Sequence, residues 1–367
     1  MKTTDFSAPN QPIGVLIVED SITIRRFLDE IVSADPRLRV LAAVESGEEA
    51  LRLMERLHPD VISLDIRLPG MSGFEFTHRV MSWKPTPIVV CSASVETSDL
   101  GITMNSLKAG ALSVVEKPVA LTNEHYARLA ERLCTQLAVM SRVKVVRQWG
   151  GDPASRPSPP LPQPSQAVSP GSRSRDVRAI GIVASTGGPS ALTTVLNTLG
   201  PDFPVPVLVV QHITATFADG FIDWLGTVCE LKVVRGESGQ CARPGHVYVA
   251  PGDRHLLIRS GVLHTNDGPP ISMQRPSGDV LLTSLAAAFA AQAVGVLLTG
   301  MGEDGADGLL ALRRAGGYTI AEDRSTAVVF GMPAAAEKRG AVCESLPIHA
   351  VGPRLLQLVN ATVEVFP

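Results

Sequence analysis

From Ile13 onward the chain alternates short apolar, β-branched runs with longer segments whose apolar positions recur every three or four residues. Such runs predict buried strands, and such segments predict helices that cover the faces of a sheet. The strands predicted in the first part of the chain are 13–18, 38–43, 60–64, 87–91 and 112–115. The predicted helices lie near 21–33, 47–56, 73–81 and 99–109, with another after Thr122. Strand–helix units with short connections indicate a doubly wound parallel sheet.

The alternation stops between residues 150 and 176, where proline, glycine, serine and arginine dominate. The prolines of this segment are Pro153, Pro157, Pro159, Pro160, Pro162, Pro164 and Pro170. Such a composition buries too little apolar surface to fold, and proline keeps it extended, so we predict a semi-stiff linker. The predicted organisation is an N-terminal tail (1–12), a first domain (13–140), a helical end with linker (141–177) and a second domain (178–367).

Beyond the linker the alternation of strands and helices resumes. The predicted strands are 179–184, 206–210, 231–234, 293–298 and 317–321, and a hairpin-like insert is expected around 246–265. Helices are expected after Pro189, Phe217, Asp279 and Asp304. The second domain therefore also belongs to the α/β class, with a Rossmann-like arrangement.

Composition and charge narrow the function classes. The net charge of −3, and the 13 basic and 16 acidic residues beyond position 176, argue against a DNA-binding output domain. The 5 cysteines are scattered without a Cys-x-x-Cys pair, which favours a reducing compartment and neither a disulfide framework nor a zinc site. We find no secretory signal at the start, and Gln292 and Gly295 interrupt the longest apolar stretch. We expect a cytoplasmic protein that does not insert into a membrane.

Polar side chains cluster at the predicted strand ends of the first domain. Glu19 and Asp20 follow the first strand, Asp65 the third, Ser92 the fourth and Lys117 the fifth. In a parallel sheet these ends meet in one crevice. Clustered carboxylates favour a bound Mg²⁺, and a hydroxyl and an amine beside them can hold phosphoryl oxygens. Any one of these residues is more often a cap or turn former, but the full set predicts a phosphoryl-acceptor site.

The strand at 179–184 ends abruptly in Ser185, which is followed by two glycines and by Pro189 at the start of a helix. A strand–turn–helix of this kind presents its turn at the edge where α/β sheets hold reactive groups. Glycine there lets the backbone approach a ligand closely. Ser185 is therefore a candidate nucleophile, although a serine at this place is also a common helix cap.

A histidine and an acid follow neighbouring strand ends, His212 after the second strand and Asp304 after the run that ends at Leu298. A serine hydroxyl needs an imidazole to take its proton, and the imidazole needs an acceptor that fixes its tautomer. The glycines around Met301 would let backbone N–H groups face an oxyanion. Spacing alone leaves other candidates open, namely Asp307, Asp253, Asp323 and His255. A nucleotide-binding interpretation is disfavoured because the glycines do not match Gly-x-Gly-x-x-Gly.

Residues 13–139, with the strand-end set above, resemble a response-regulator receiver domain. The resemblance implies that Asp65 is the phosphoacceptor, that Glu19, Asp20 and Asp65 hold Mg²⁺ together with the backbone carbonyl of Arg67, and that Ser92 and Lys117 contact the phosphoryl group. Two features depart from the family pattern: Ser72 stands where Asp is usual in the Met-Asp-Gly run, and Val114 stands where many receivers carry Tyr or Phe as a switch. A readout through an aromatic switch is therefore not expected here.

Further blocks occur in order along the second domain. They are Ala184-Ser185-Thr186-Gly187-Gly188-Pro189, Gln211-His212, Pro244-Gly245-His246-Val247-Tyr248-Val249-Ala250-Pro251-Gly252, Arg275-Pro276-Ser277, Leu298-Thr299-Gly300-Met301-Gly302-Glu303-Asp304-Gly305 and Val328-Val329-Phe330-Gly331-Met332-Pro333. Behind a receiver, this series is similar to the chemotaxis protein-glutamate methylesterase family (CheB). One departure is Ile213-Thr214, where the family often has Met-Pro.

The CheB resemblance implies that Ser185 is the nucleophile, His212 the base and Asp304 its orienting acid. It implies that Thr186, Gly187 and the backbone of Met301 line the site. The activity it implies is demethylation of glutamyl methyl esters on chemoreceptors, with some deamidation of glutamines, switched on by a CheA-type histidine kinase. The esterase site is expected to use no cofactor.

Two other classes of function are weighed against the esterase. A phosphorylation-dependent binding module that docks on receptors without turning them over would tolerate loss of Ser185. A receiver-regulated transcription factor is disfavoured by the acidic second domain and the lack of a helix-turn-helix pattern.

Overall fold

The structure is a computed structural model that describes residues 11–92, 103–118 apart from 104 and 108, 123–145 apart from 144, and 176–360. Within these ranges it contains two parallel sheets, one of five strands and one of seven. Helices connect most of the successive strands of both sheets, whereas no helix separates the strands Lys232–Arg235 and His246–Val249. The predicted α/β class, with a flavodoxin-like first domain, is confirmed.

The first sheet has the strand order β2-β1-β3-β4-β5, and all its pairings are parallel. Its strands are β1 (Ile13–Val18), β2 (Leu38–Val44), β3 (Val61–Leu64), β4 (Ile88–Ser92) and β5 (Ser113–Glu116). Its helices are α1 (Ile22–Ala34), α2 (Gly47–Met54), α3 (Gly73–Trp83) and α4 (Asn123–Met140). The predicted helix near 99–109 falls largely on residues outside the described ranges.

Local sequence explains where these elements begin and which faces they bury. Ser46 and Ser72 cap α2 and α3 by accepting hydrogen bonds from the backbone N–H three residues later. All six residues of β1 are buried. Leu16 packs into the core on one side of the sheet and Ile17 into the core on the other. A strand covered on both faces has the continuous apolar run seen in the sequence.

The second sheet has the order β14-β13-β12-β6-β7-β9-β8. Its strands are β6 (Ala179–Ala184), β7 (Val207–Gln211), β8 (Lys232–Arg235), β9 (His246–Val249), β12 (Ala293–Leu297), β13 (Tyr318–Glu322) and β14 (Glu344–Leu346). A separate antiparallel hairpin consists of β10 (His255–Arg259) and β11 (Val262–Asn266). The helices are α5 (Gly188–Leu196), α6 (Ala215–Val228), α7 (Gly278–Phe289), α8 (Ala306–Arg314), α9 (Met332–Lys338) and α10 (Ile348–Asn360).

The structure differs from the predicted hairpin-like insert in one respect. Residues 246–249 form β9, which lies between β7 and β8 in the main sheet and pairs in parallel with both. Only β10 and β11 form the hairpin. A four-residue strand after a Pro-Gly turn carries no local sign of its partner, because parallel pairing depends on distant segments.

The strands β12, β6 and β7 are neighbours in the middle of the sheet. Their parallel register brings the turns after Ala184, Gln211 and Leu297 to one edge. In the part of the chain that the structure describes, no helix has the length and apolar character needed to cross a membrane.

Candidate phosphorylation and active sites

Three carboxylates and an amine meet at the carboxyl edge of the first sheet. Oxygens of Glu19, Asp20 and Asp65 lie within 4.8 Å of one another. Lys117 Nζ lies 2.8 Å from Glu19 Oε2 and 2.9 Å from Asp65 Oδ2. Glu19, Asp65 and Lys117 are buried, whereas Asp20 is exposed. The structure therefore brings the predicted acidic residues and the lysine into one pocket.

The electrostatics of this pocket favour a divalent cation. Burial raises the pKa of Glu19 to about 7, and the neighbouring charge of Asp65 acts in the same direction. Burial also raises the pKa of Asp65 above its ordinary value, against the opposing effect of Lys117. Acidic oxygens that repel one another in a partly dry pocket are the donor set that a hard cation such as Mg²⁺ suits.

The remaining predicted residues of this pocket lie around Asp65. Ser92 is buried at the end of β4, where it pairs with Glu116 of β5. Arg67 has an exposed side chain, and its backbone forms a hydrogen bond with the Asp65 carboxylate. The Arg67 backbone therefore lies beside the Asp65 carboxylate, and Ser92 lies at the end of the neighbouring strand β4.

Ser185 lies in the turn between β6 and α5. Its backbone N–H donates to Thr299 O at 3.0 Å, and its carbonyl accepts from Gly188 N at 2.9 Å and from Gln211 Nε2 at 2.7 Å. Gly187 has a φ of 78°, the left-handed region that glycine adopts without strain. The backbone of Ser185 is thus fixed by three neighbours while its side chain remains partly exposed.

His212 lies on the adjacent strand end, and its backbone N–H donates to Ala184 O at 2.9 Å. Its Nε2 is 2.7 Å from Asp304 Oδ2. Its other ring nitrogen, Nδ1, is buried and has no hydrogen-bond partner among the described residues. Because a carboxylate only accepts, the network assigns the proton to Nε2 and leaves the lone pair on Nδ1.

Four donors surround the Asp304 carboxylate. His212 Nε2–H and Gly278 N–H donate to Oδ2, the latter at 2.6 Å. Ser277 Oγ–H donates to Oδ1 at 2.6 Å, and Asp279 N–H donates to the same oxygen at 3.3 Å. Burial by itself would raise the pKa of Asp304, but the hydrogen bonds and the His212 charge outweigh it and hold this pKa below its ordinary value. The carboxylate is therefore ionised opposite the imidazole.

The loop after β12 passes close to Ser185. A Cβ built on Gly300 would lie 2.7 Å from Ser185 Cβ, so this approach requires glycine. Thr299 Oγ1–H donates to Thr186 O at 2.9 Å and ties the two turns together. Among the described residues, the backbone N–H groups of Thr186 and Met301 have no hydrogen-bond partner. These two amides are available to a ligand beside Ser185.

A cavity of about 280 Å³ opens in front of Ser185 and His212. Both domains contribute to its wall. The second domain supplies Ser185, Thr186, Gly187, Pro189, Gln211, His212, Ile213, Ser272, Met273, Gln274, Met301, Gly302 and Glu303, and the first supplies Leu107, Leu112, Ser113, Val114, Arg132 and Gln136. Residues of the first domain therefore form part of the wall of the Ser185 cavity.

Among the residues that the structure describes, two side-chain hydrogen bonds link the domains. Thr216 Oγ1–H on α6 donates to Glu116 Oε2 at 3.3 Å. Trp224 Nε1–H, also on α6, donates to Asn105 Oδ1 at 3.3 Å. Glu116 precedes Lys117 of the acidic pocket, and α6 begins three residues after His212. The contact thus joins the neighbourhoods of the two candidate sites.

The structure brings Ser185, Thr186, Gly187, His212, Met301 and Asp304 to one edge of the second sheet. Two of the alternatives that spacing left open form ion pairs with arginines, Asp307 with Arg339 and Asp253 with Arg275. Sequence reasoning missed Ser277, Gly278 and the Gln211 side chain, which hold Asp304 and Ser185. Ser277 follows Arg275-Pro276 just before a predicted helix, but nothing in the sequence tied that helix end to Asp304.

Comparison with known proteins agrees with this architecture. The family model described as "CheB methylesterase" matches residues 180–355, and "Response regulator receiver domain" matches residues 15–127. A relative from Paramagnetospirillum magneticum, named protein-glutamate methylesterase/protein-glutamine glutaminase 2, is 49% identical over 346 residues, or 94% of this chain and 97% of its own. One from Myxococcus xanthus, number 4 of that name, is 42% identical over 88% of this chain and 90% of its own.

Among solved structures, the catalytic domain of Thermotoga maritima CheB methylesterase is 36% identical and covers 50% of this chain and 99% of its own, with a TM-score of 0.48. The family assignment rests on the full-length relatives, since their similarity runs through both domains. The resemblance noted in the sequence is thereby confirmed. This chain belongs to the CheB methylesterase family and carries a response-regulator receiver domain ahead of its methylesterase domain.

Proposed function

We propose that this protein is a phosphorylation-activated serine esterase that removes methyl groups from glutamyl methyl esters on chemoreceptors. The observation that carries the proposal is the His212–Asp304 pair beside Ser185, at neighbouring strand ends and open to a cavity. Methanol release from methyl-labelled receptor membranes tests it. The full-length relatives bear the corresponding name, which supports this substrate class.

In the proposed reaction His212 Nδ1 takes the proton of Ser185 Oγ as that oxygen attacks the side-chain ester carbonyl. The carbonyl π electrons move to its oxygen, and their return expels methanol, which receives the proton from Nδ1. Water then attacks the acyl-serine, giving its proton to the same nitrogen, and Ser185 leaves reprotonated. Asp304 accepts the Nε2–H throughout and stabilises the imidazolium that forms twice in each cycle.

The free N–H groups of Thr186 and Met301 would receive the oxyanion of each tetrahedral intermediate. Preorganised donors stabilise developing charge without reorganising, and for that reason such pairs contribute strongly to acyl transfer. Gly300 lets the loop that carries Met301 come close to Ser185, and Gly187 lets the turn after Ser185 pack against Thr299 and Val328.

The same acyl-serine would form from a glutamine side chain, with ammonia leaving in place of methanol. An amide has the poorer leaving group, so we expect deamidation to be slower than demethylation at this site. Ammonia release from receptors that carry glutamine at the modified positions measures it.

In the receiver domain we propose that Asp65 accepts the phosphoryl group and that Glu19, Asp20, Asp65 and the backbone carbonyl of Arg67 hold Mg²⁺. Mg²⁺ supplies charge neutralisation at the acceptor. Ser92 and Lys117 would contact the phosphoryl oxygens, with Lys117 Nζ already 2.9 Å from the Asp65 carboxylate. The phosphodonor would be a CheA-type histidine kinase, in the cytoplasm where receptor signalling domains and such kinases work together.

We propose that the unphosphorylated receiver limits access to Ser185, because its residues form one wall of the cavity. Phosphorylation would loosen this contact through the end of β5, where Lys117 faces Asp65 and Glu116 accepts from Thr216. The proline-rich linker would tether the domains during the movement.

Asp65→Asn is expected to abolish activation by a phosphodonor and leave basal methanol release unchanged. The amide cannot accept a phosphoryl group, whereas the cavity before Ser185 is untouched. Initial rates with and without acetyl phosphate and Mg²⁺ measure the effect. Asp29→Asn, on α1 away from the acidic pocket, is the matched control and should activate normally. Activation retained by Asp65→Asn would contradict the assignment of the acceptor.

Val114→Phe is expected to change the ratio of activated to basal rates. Val114 lies on β5, three residues before Lys117, and lines the cavity in the place of the usual aromatic switch. We expect the native ratio to be smaller than in receivers with an aromatic residue there. Val114→Leu controls for added volume without a ring. A ratio unaltered by the phenylalanine would count against a role for this position in the coupling.

A further inference from the structure

We propose that His255 is a positioning residue that fixes Asp304 through the turn at Ser277–Asp279. This inference rests on the function proposed above, because it concerns how the acid beside His212 is held. His255 was one of the residues that sequence spacing left open as an alternative member of the site.

Both ring nitrogens of His255 are engaged. The residue begins β10 and is 2% exposed. Its Nδ1 accepts from Ser277 N–H at 3.2 Å, and its Nε2 is 3.1 Å from Pro269 O. Nδ1 must carry a lone pair because it accepts from an amide N–H, and Nε2 must carry a proton because it faces a carbonyl oxygen. These two partners assign the neutral Nε2–H tautomer to His255. His255 has no free lone pair and cannot serve as a second base.

The turn that His255 holds is the one that holds Asp304. Of the four donors to the Asp304 carboxylate, all except His212 come from Ser277, Gly278 and Asp279. These residues form the start of α7, where backbone N–H groups are unpaired within the helix and favour an anion. The position of the turn therefore sets the position of the carboxylate relative to His212.

Asp304 lies in a turn where Gly302 and Gly305 have φ values of 94° and 87°. Glycine loses more conformational freedom on ordering than any other residue, so hydrogen bonds that hold the carboxylate help to fix this turn. The hairpin that carries His255 is in turn bonded to α7, because Ile258 N–H donates to Ser284 Oγ at 3.0 Å. The hairpin and the start of α7 thus form one support behind Asp304.

His255→Phe is expected to lower kcat about tenfold to a hundredfold with KM unchanged, the loss that corresponds to one hydrogen bond in a charged network. The phenyl ring fills the space but cannot accept from Ser277 N–H. His255→Asn is expected to restore most of kcat, because its carbonyl oxygen can stand near the position of Nδ1. A residue that served packing alone would favour phenylalanine over asparagine.

The test measures methanol release per folded molecule for both variants, alone and in an Asp304→Asn background. Because His255 is proposed to act through Asp304, His255→Phe should have no further effect in that background. Ser277→Ala, which removes a direct donor and is conservative in volume, should behave in the same way. His264→Phe, on the partner strand of the same hairpin, is the matched control and should keep wild-type kcat.

An equal loss in both backgrounds, or a kcat unchanged by His255→Phe, would overturn the inference and leave the esterase intact. Absence of methanol release from the wild type would overturn the proposed function together with it. Nitrogen-15 NMR of the His255 ring tests the geometry without activity. A protonated Nε2 beside a bare Nδ1 is expected, and a protonated Nδ1 would contradict the hydrogen bond from Ser277.

Discussion

Ser185→Ala is expected to reduce methanol release by about a millionfold, the loss that removal of a nucleophilic serine causes in a serine hydrolase. The substitution deletes the only atom that can form the acyl intermediate in the proposed reaction. It leaves the backbone in place, since the hydrogen bonds of Ser185 with Thr299, Gly188 and Gln211 use main-chain atoms. Release is measured under phosphorylating conditions, where the wild-type rate is highest.

Ser190→Ala is the matched control for this experiment. Ser190 is exposed on α5, five residues beyond Ser185, so the same chemical change is made outside the proposed machinery. We expect wild-type rates from it. Equal, measurable rates from wild type and Ser185→Ala would assign the reaction to another group. Absence of release from both would leave a receptor-binding module as the better description of the domain.

Asp304→Asn is expected to lower kcat about 10,000-fold, as when the orienting aspartate of a catalytic triad becomes an amide. An asparagine amide donates towards Nε2 and drives the imidazole proton onto Nδ1, the nitrogen that must accept from Ser185. The asparagine NH2 group would face the donor Gly278 N–H in one orientation and the donor Ser277 Oγ–H in the other. Either orientation therefore sets two donors against each other. KM should change little, because Asp304 lies behind the imidazole.

Asp307→Asn serves as the control for Asp304→Asn. Asp307 lies one turn along the same segment, is exposed, and pairs with Arg339 at 2.7 Å. An exposed ion pair contributes little, so the variant should fold and react like the wild type. If Asp307→Asn lowers kcat as much as Asp304→Asn does, the loss comes from disturbance of the whole loop and not from the Asp304 carboxylate.

The sequence predicts that His212 and Asp304 lie close together, but it does not predict the orientation of the imidazole ring. Spacing placed the histidine and the acid at one sheet edge, because parallel strands align their carboxyl ends. It could not say which ring nitrogen faces the acid. In the serine protease triad the acid holds Nδ1 and the base is Nε2. Here Nε2 faces the acid and Nδ1 has no partner among the described residues, and only side-chain placement reveals it.

Other parts of the site depend on contacts between distant segments. Ser277 and Asp304 are 27 positions apart, and His255 is 22 positions before Ser277. No periodicity connects them, since their proximity results from packing of a hairpin on a helix. The same holds for β9, which joins the main sheet only because β7 and β8 flank it. The strands with long apolar runs, such as β1 and β6, were predictable because burial on both faces dictates their composition.

The receiver residues that line the cavity are another feature that depends on contacts between distant segments. The strand-end carboxylates followed from local pattern, but the side of the receiver that meets the second domain did not. That side is formed by Val114 with residues of α4 and the segment before β5, whose polar members such as Arg132 and Gln136 resemble ordinary surface positions in sequence.

The most direct test of this account is release of labelled methanol from methyl-labelled receptor membranes by wild type and Ser185→Ala, each with and without beryllofluoride and Mg²⁺. Beryllofluoride mimics the phosphoryl group on Asp65. We predict release by the wild type, faster release with the mimic, and none above background from Ser185→Ala. No release from the wild type under any condition would contradict the esterase, and release indifferent to the mimic would contradict the receiver's control of Ser185.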